Sequence, residues 1–115
     1  MATPYSKFFF GLEAAAQQAA RIAGVLIKQG ENVFSPIVHS HVIAHMNGFD
    51  PLDHDMWMEI DKAFMERCTG LIVVMMMGWT RSKGVTMEIE AFRKAGKPIR
   101  YFDPETGLFT SEVLN

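Results

Sequence analysis

The sequence predicts an α/β protein: a three-layer, doubly wound parallel sheet of the Rossmann-like or flavodoxin-like kind, with helices on both faces. Three observations between Cys68 and Phe102 predict it. Leu71-Ile72-Val73-Val74-Met75-Met76 is an uninterrupted apolar run, rich in β-branched residues and too short to span a membrane, as suits a parallel strand covered on both faces. After the polar loop Gly78-Trp79-Thr80-Arg81-Ser82-Lys83-Gly84, the residues Val85, Ile89 and Phe92 recur at helical spacing until Gly96 and Pro98 end the helix. Ile99 to Phe102 then returns as a second strand. Strand, crossover helix and parallel strand make a right-handed βαβ unit, and such sheets bind ligands where carboxyl ends of strands meet amino ends of helices.

The remaining elements follow in chain order. Met1-Ala2-Thr3-Pro4-Tyr5-Ser6 is too short for a full strand and reads as the end of one running into a loop. Leu12 to Gln29 is strongly helical, with Ala16, Ala19, Ala23 and Leu26 or Ile27 on one stripe, and Gly30 ends it. Asn32 to Ser35 reads as a short strand stopped by Pro36, and Ile37-Val38 leads on to the polar segment His39-Ser40-His41. Asp55 to Arg67 is helical, with Trp57, Ile60, Phe64 and Cys68 at core spacing and Asp61 inside the same stripe. Burying an unpaired carboxylate costs several kcal/mol, so Asp61 either lies at the rim or serves a site. Asp103-Pro104-Glu105-Thr106-Gly107 is a turn, after which the last residues form a tail or pack on a partner.

At 115 residues the chain is expected to be one domain, residues 1–115. An apolar share of 49% argues against disorder, and a formal charge of −2 argues against a basic face for nucleic-acid polymers, though not against a small anionic ligand. Cys68 has no second cysteine to pair with, and there is neither a signal peptide nor a run of about 20 apolar residues. The expected location is therefore the cytoplasm, away from membranes.

Two stretches carry chemistry. Ser82 is placed to cap the helix that follows, so that the free amides after it, including that of Gly84, form an anion site, with Glu88 about a turn beyond. The alternative is that Ser82 only caps and Glu88 only decorates the helix. The second stretch holds His39, His41 and His45, followed by Asp50, Asp53, His54 and Asp55. His41 and His45, four apart, could share a helix face as metal ligands. No Cys or Glu completes a recognised zinc spacing, and Gly48 and Pro51 intervene. Neither a metal nor a cofactor is expected, and the histidines are read as loop residues that hydrogen-bond a ligand or each other. Nine methionines are mostly core filler.

The order T-P-Y-S, an alanine-rich helix, V-F-S-P-I with H-S-H, W-x-x-x-D, a buried strand, S-x-G-V-x-x-E-I and G-K-P-I resembles the nucleoside 2-deoxyribosyltransferase-like superfamily over nearly the whole chain. Ser82 to Ile89 is also similar to the matching loop of 2′-deoxynucleoside 5′-phosphate N-hydrolases. The resemblance implies that Glu88 is the nucleophile at the anomeric carbon of a (deoxy)ribosyl group, with Asp61 beside the nucleobase to protonate or orient it. It implies that Ser82 and the Gly84 amide hold a 5′-phosphate. Serine there favours a nucleotide, because the transferases of unphosphorylated nucleosides tend to carry an aspartate.

Tyr5 and Ser6, with His39, His41 and Trp79 on the base side, complete the expected substrate contacts. Lys7 and Arg81 are either further charge for the phosphate or solvated cations. Family members carry a longer first strand whose tyrosine orients the nucleophile. Here the chain begins past that position, so either the start is truncated or misassigned or Tyr5 substitutes. Thr69 and Glu90 also depart from the common pattern. Because relatives commonly dimerise, a homodimer or higher homo-oligomer is expected. The chemistry fits the residues: cleaving an N-glycosidic bond passes through an oxocarbenium-like state that one carboxylate stabilises or traps while a second acid assists the departing base. A nucleotide-binding module without chemistry is the alternative.

Overall fold

The computed structural model describes residues 1–6 and 8–111, so the expectation for Lys7 and that for the last residues, from 112 on, lie outside the described part. Four helices, α1 (Leu12–Lys28), α2 (Pro36–Asn47), α3 (His54–Met65) and α4 (Lys83–Lys94), accompany three strands, β1 (Leu71–Val74), β2 (Ile99–Asp103) and β3 (Leu108–Ser111). The sheet order is β1-β2-β3. β1 and β2 run parallel with Leu71 opposite Ile99 and Val74 opposite Phe102, whereas β2 and β3 are antiparallel with Phe102 opposite Phe109.

This corrects the expected fold class. The sheet is small and mixed, with one parallel crossover through α4, and is not a three-layer doubly wound parallel sheet with helices on both faces. The chain spends residues 12–65 on three successive helices with no strand between them, so only one βαβ unit forms. After the turn, Leu108 folds back on β2 as a hairpin, with Gly107 at φ 72 and its amide donating to the Asp103 carbonyl at 2.8 Å. On the other edge of β1, Ala2 makes an isolated parallel bridge to Val73, its amide donating to the Ile72 carbonyl at 2.8 Å.

Alternation along β1 divides the core between two clusters. Leu71 and Val73 pack with Ala2, Val85, Phe92 and Ile99, while Val74 packs with Ile22, Leu26, Met76 and Phe102. α1 buries Ala15, Ala16, Ala19, Ile22 and Leu26; Ile27 is exposed and Ile22 takes the place expected for Ala23. Gly70 enters β1 where a Cβ would lie 3.1 Å from the Pro98 carbonyl oxygen, so a side chain there would crowd this close approach of the two strands.

Two further expectations change. Asn32 to Ser35 do not form the expected strand, and the histidines that follow lie on α2 rather than in a loop. Ser35 accepts from the Val38 amide at 3.3 Å and Pro36 occupies the first turn, an N-terminal signature that outweighs the β-branched residues around it. α3 buries only Trp57, whose indole N–H donates to the Asp50 carbonyl at 2.9 Å; Ile60 and Phe64 are exposed because so small a sheet does not reach them. Among the described residues no helix is long and apolar enough to cross a membrane.

Candidate functional site

Ser82 is the N-cap of α4, buried, with its hydroxyl accepting from the Val85 amide at 3.2 Å and its carbonyl from the Thr86 hydroxyl at 3.0 Å. The amides of Lys83 and Gly84 precede the first intrahelical bond and face outward, as helix geometry requires. A Cβ on Gly84 would meet only the Ser82 hydroxyl, at 3.8 Å, so its glycine is not demanded by packing. Glu88 lies in the second turn of α4, three residues after buried Val85 and four before buried Phe92. It therefore shares the inward stripe of the helix and is only partly exposed.

Burial pushes the Glu88 carboxyl up to about 8; the Met1 ammonium opposes this and the nearby Asp61 adds to it. That ammonium donates to the Phe34 carbonyl at 2.7 Å. Asp61 is likewise raised by burial, with His39 pulling it down. Asp61 Oδ1, His39 Nδ1 and Thr3 Oγ1 are buried atoms that have no hydrogen-bonding partner among the described residues. Beside them Phe34 and Phe64 stack at 4.9 Å and 15°, with the His39 ring 5.7 Å from one and 5.6 Å from the other. Phe64 keeps 47% of its surface exposed, so this aromatic wall is open on one side. The cluster gathers Glu88 from α4, Asp61 and Phe64 from α3, and His39 from α2. Two weakly solvated carboxyl groups near a flat aromatic wall suit proton transfer and stabilisation of a cation.

Tyr5 and His41 belong to a different constellation. The Tyr5 hydroxyl lies 2.5 Å from His41 Nδ1, and His41 Nε2 lies 2.6 Å from Glu13 Oε2. Gln17 donates to the other Glu13 oxygen at 3.1 Å. Glu13 is held below the usual carboxylate range, chiefly by its hydrogen bond with His41, and the Tyr5 phenol is raised by burial and by Glu13. His45 stacks parallel to His41 at 6.5 Å, and the two line an open cleft of about 270 Å³ with Ala44, Gly48, Phe49 and Pro51. Glu13, an ordinary charge in the first turn of a helix, and Phe34 carry no signal along the chain that marks them for a site.

The other expected contacts fall elsewhere. Trp79 opens a 3-10 turn, packs against the cluster around Val85 and Phe92, and stands 5.7 Å from the Tyr101 ring; among the described residues no ring contact joins it to His39 or His41. Ser6 and Arg81 are exposed. No three His, Cys, Asp or Glu side chains among the described residues are grouped to hold a metal ion. Comparison with curated proteins and with solved structures returns no match. Residues 1–103 match the family model described as a domain of unknown function, DUF1937, and the chain belongs to that family.

Proposed function

We propose that this protein is an N-glycosidase of the nucleoside 2-deoxyribosyltransferase-like kind, cleaving the N-glycosidic bond of a nucleoside 5′-monophosphate or related nucleotide. The observation that carries the proposal is the approach of Asp61 and Glu88, from α3 and α4, on the inner side of the helix that Ser82 caps. Glu88 gives up its proton and attacks the anomeric carbon as a carboxylate, the bond from that carbon to the base nitrogen breaks as Asp61 passes a proton to the departing base, and the outward amides after Ser82 receive the phosphate. The free protein holds Glu88 protonated below about 8. The positive charge that develops on the sugar is what favours its ionised form, so its stabilising effect is strongest in the transition state.

The reaction uses no cofactor, and the proposed setting is the cytoplasm, with a homodimer or higher homo-oligomer and no nucleic-acid polymer or membrane as partner. A scattering mass of one chain would refute the oligomer. The proposal is tested by base release from a panel of ribo- and deoxyribonucleoside 5′-monophosphates. Release by the wild type that is abolished in Glu88→Ala supports it; no release from any of them refutes it. The raised carboxyl of Glu88 favours one second reading, a nucleotide-binding module without chemistry, which predicts binding of the same nucleotides with no base released.

A further inference from the structure

We propose that His39 and Asp61 together read the nucleobase, and that the bases they accept carry an exocyclic amine beside a ring nitrogen with a free lone pair, as adenine and cytosine do; the proposal rests on the reading above and names its substrate class. His39 is the specificity-determining residue of the pair. Asp61 and Phe64 stand three residues apart on α3 and so share one face of that helix. The His39 ring, arriving from α2, lies 5.6 Å from the Phe64 ring and 5.7 Å from that of Phe34, so the imidazole is held against two aromatic neighbours. Asp61 Oδ1 and His39 Nδ1 are both buried, and neither is bonded to the other or to any described group. His39 pulls the Asp61 carboxyl down, which puts the two side chains within electrostatic reach. Two polar atoms buried in reach of one another and left unjoined suit a ligand that bonds to both at once. Phe64, stacked on Phe34 and still 47% exposed, offers a flat base a surface to lie on while its edge meets the two atoms.

The chemistry of each atom selects the edge. A buried N–H without an acceptor is rarer and costs more than a buried lone pair, so the lone pair is assigned to Nδ1 and the hydrogen to Nε2. Nδ1 then accepts, and what meets it must donate: an exocyclic amine. A carbonyl oxygen in that place would set two acceptors face to face and leave both without a hydrogen. Asp61 gives up a proton in the proposed reaction, so what meets it is a ring nitrogen with a free lone pair. Adenine presents this pair as N7 and its 6-amino group, and cytosine as N3 and its 4-amino group. Hypoxanthine and uracil carry a carbonyl oxygen where the amine stood. As the glycosidic bond breaks, its electron pair passes into the base and the Asp61 proton goes to that ring nitrogen. The base leaves neutral, held in register until then by its amine on His39.

The test is kcat/KM for base release from nucleotides paired by this group: adenosine against inosine 5′-monophosphate, cytidine against uridine 5′-monophosphate, and the deoxy form of each. The proteins are the wild type, His39→Asn and His39→Phe. The wild type should favour the amine member of a pair by about tenfold to a hundredfold, and the pair it turns over tells adenine from cytosine. His39→Asn can turn either its oxygen or its amino group to the base, and His39→Phe offers neither, so both should bring the ratio close to one while release continues. Because the ratio compares two substrates of one protein, any loss of folded protein cancels. A wild type that favours the carbonyl member or favours neither, or a ratio that survives in either variant, overturns the assignment and leaves the glycosidase reading standing. No base release by the wild type overturns both. Nitrogen NMR of His39 in the free protein adds a check independent of turnover: the Nε2–H tautomer is expected, and the Nδ1–H tautomer overturns the assignment.

Discussion

His39 and His41 stand two residues apart on α2, yet they face unlike surroundings. His39 looks toward a cluster in which its own Nδ1 and Asp61 Oδ1 are buried with no hydrogen-bonding partner among the described residues, beside the raised carboxyl of Glu88. His41 sits in a chain where each ring nitrogen has a partner. Burying polar groups without partners costs stability, and burying them with partners costs little. The first region is thus held in a state the fold alone does not reward, and a ligand is what would supply the missing contacts. The second is satisfied within the protein.

Glu88→Gln breaks this contrast most severely. Base release should fall by about a thousandfold or more, as expected for loss of a covalent nucleophile. Stability should move the other way. The folded chain keeps the Glu88 proton up to about 8 whereas the unfolded chain releases it near 4.5, so wild-type stability falls as pH rises through that window. At ~1.4 kcal/mol per pH unit the effect reaches on the order of 4–5 kcal/mol as an upper bound, and glutamine should remove it. Denaturant titrations of both proteins at pH 5 and pH 8.5 check this: equal differences at the two pH values would refute the burial of Glu88.

Asp61→Asn should cost about a hundredfold to ten-thousandfold in base release, in the range of a lost general acid. Because Asp61 helps to raise Glu88, the pH at which Glu88 ionises should also drop in this variant, as read by carbon NMR of the carboxyl. Ser82→Ala removes the cap on α4 and should destabilise by about 1 kcal/mol, seen as a lower unfolding midpoint. Glu13→Gln, at the exposed end of the satisfied chain, should leave the midpoint almost where it was, whatever it does to turnover.

What sequence could reveal follows the range of the interactions. The βαβ unit from Leu71 to Phe102, the cap at Ser82 and the long α1 depend on neighbours in the chain, and periodicity and punctuation made them visible. The size of the sheet depends on how many strands find one another, which no local pattern states, so the doubly wound expectation failed. α2 was legible in principle, since Ser35-Pro36 is a helix-start signal, but the surrounding valines and isoleucine pulled the reading toward a strand. Asp61 stood out as a carboxylate within an apolar stripe, and the structure brings it near Glu88. The link from Tyr5 to Glu13 through a histidine 28 residues beyond Glu13 exists only in three dimensions, and nothing in the spacing announces it.

The single crossover has a consequence for how the molecule comes together. β1, α4, β2 and β3 follow one another directly, and each pairs with a neighbour close in the chain, so residues 71–111 close only short loops as they assemble. Tyr5, His39, His41 and Asp61 all precede this unit and reach their places only when the helical half docks on it. Backbone amides of β1 and β2 should exchange with deuterium most slowly, and those around α2 and α3 much sooner. Glu88 and Ser82 thus belong to the part that forms first, while Asp61 joins the folded state late and leaves it early.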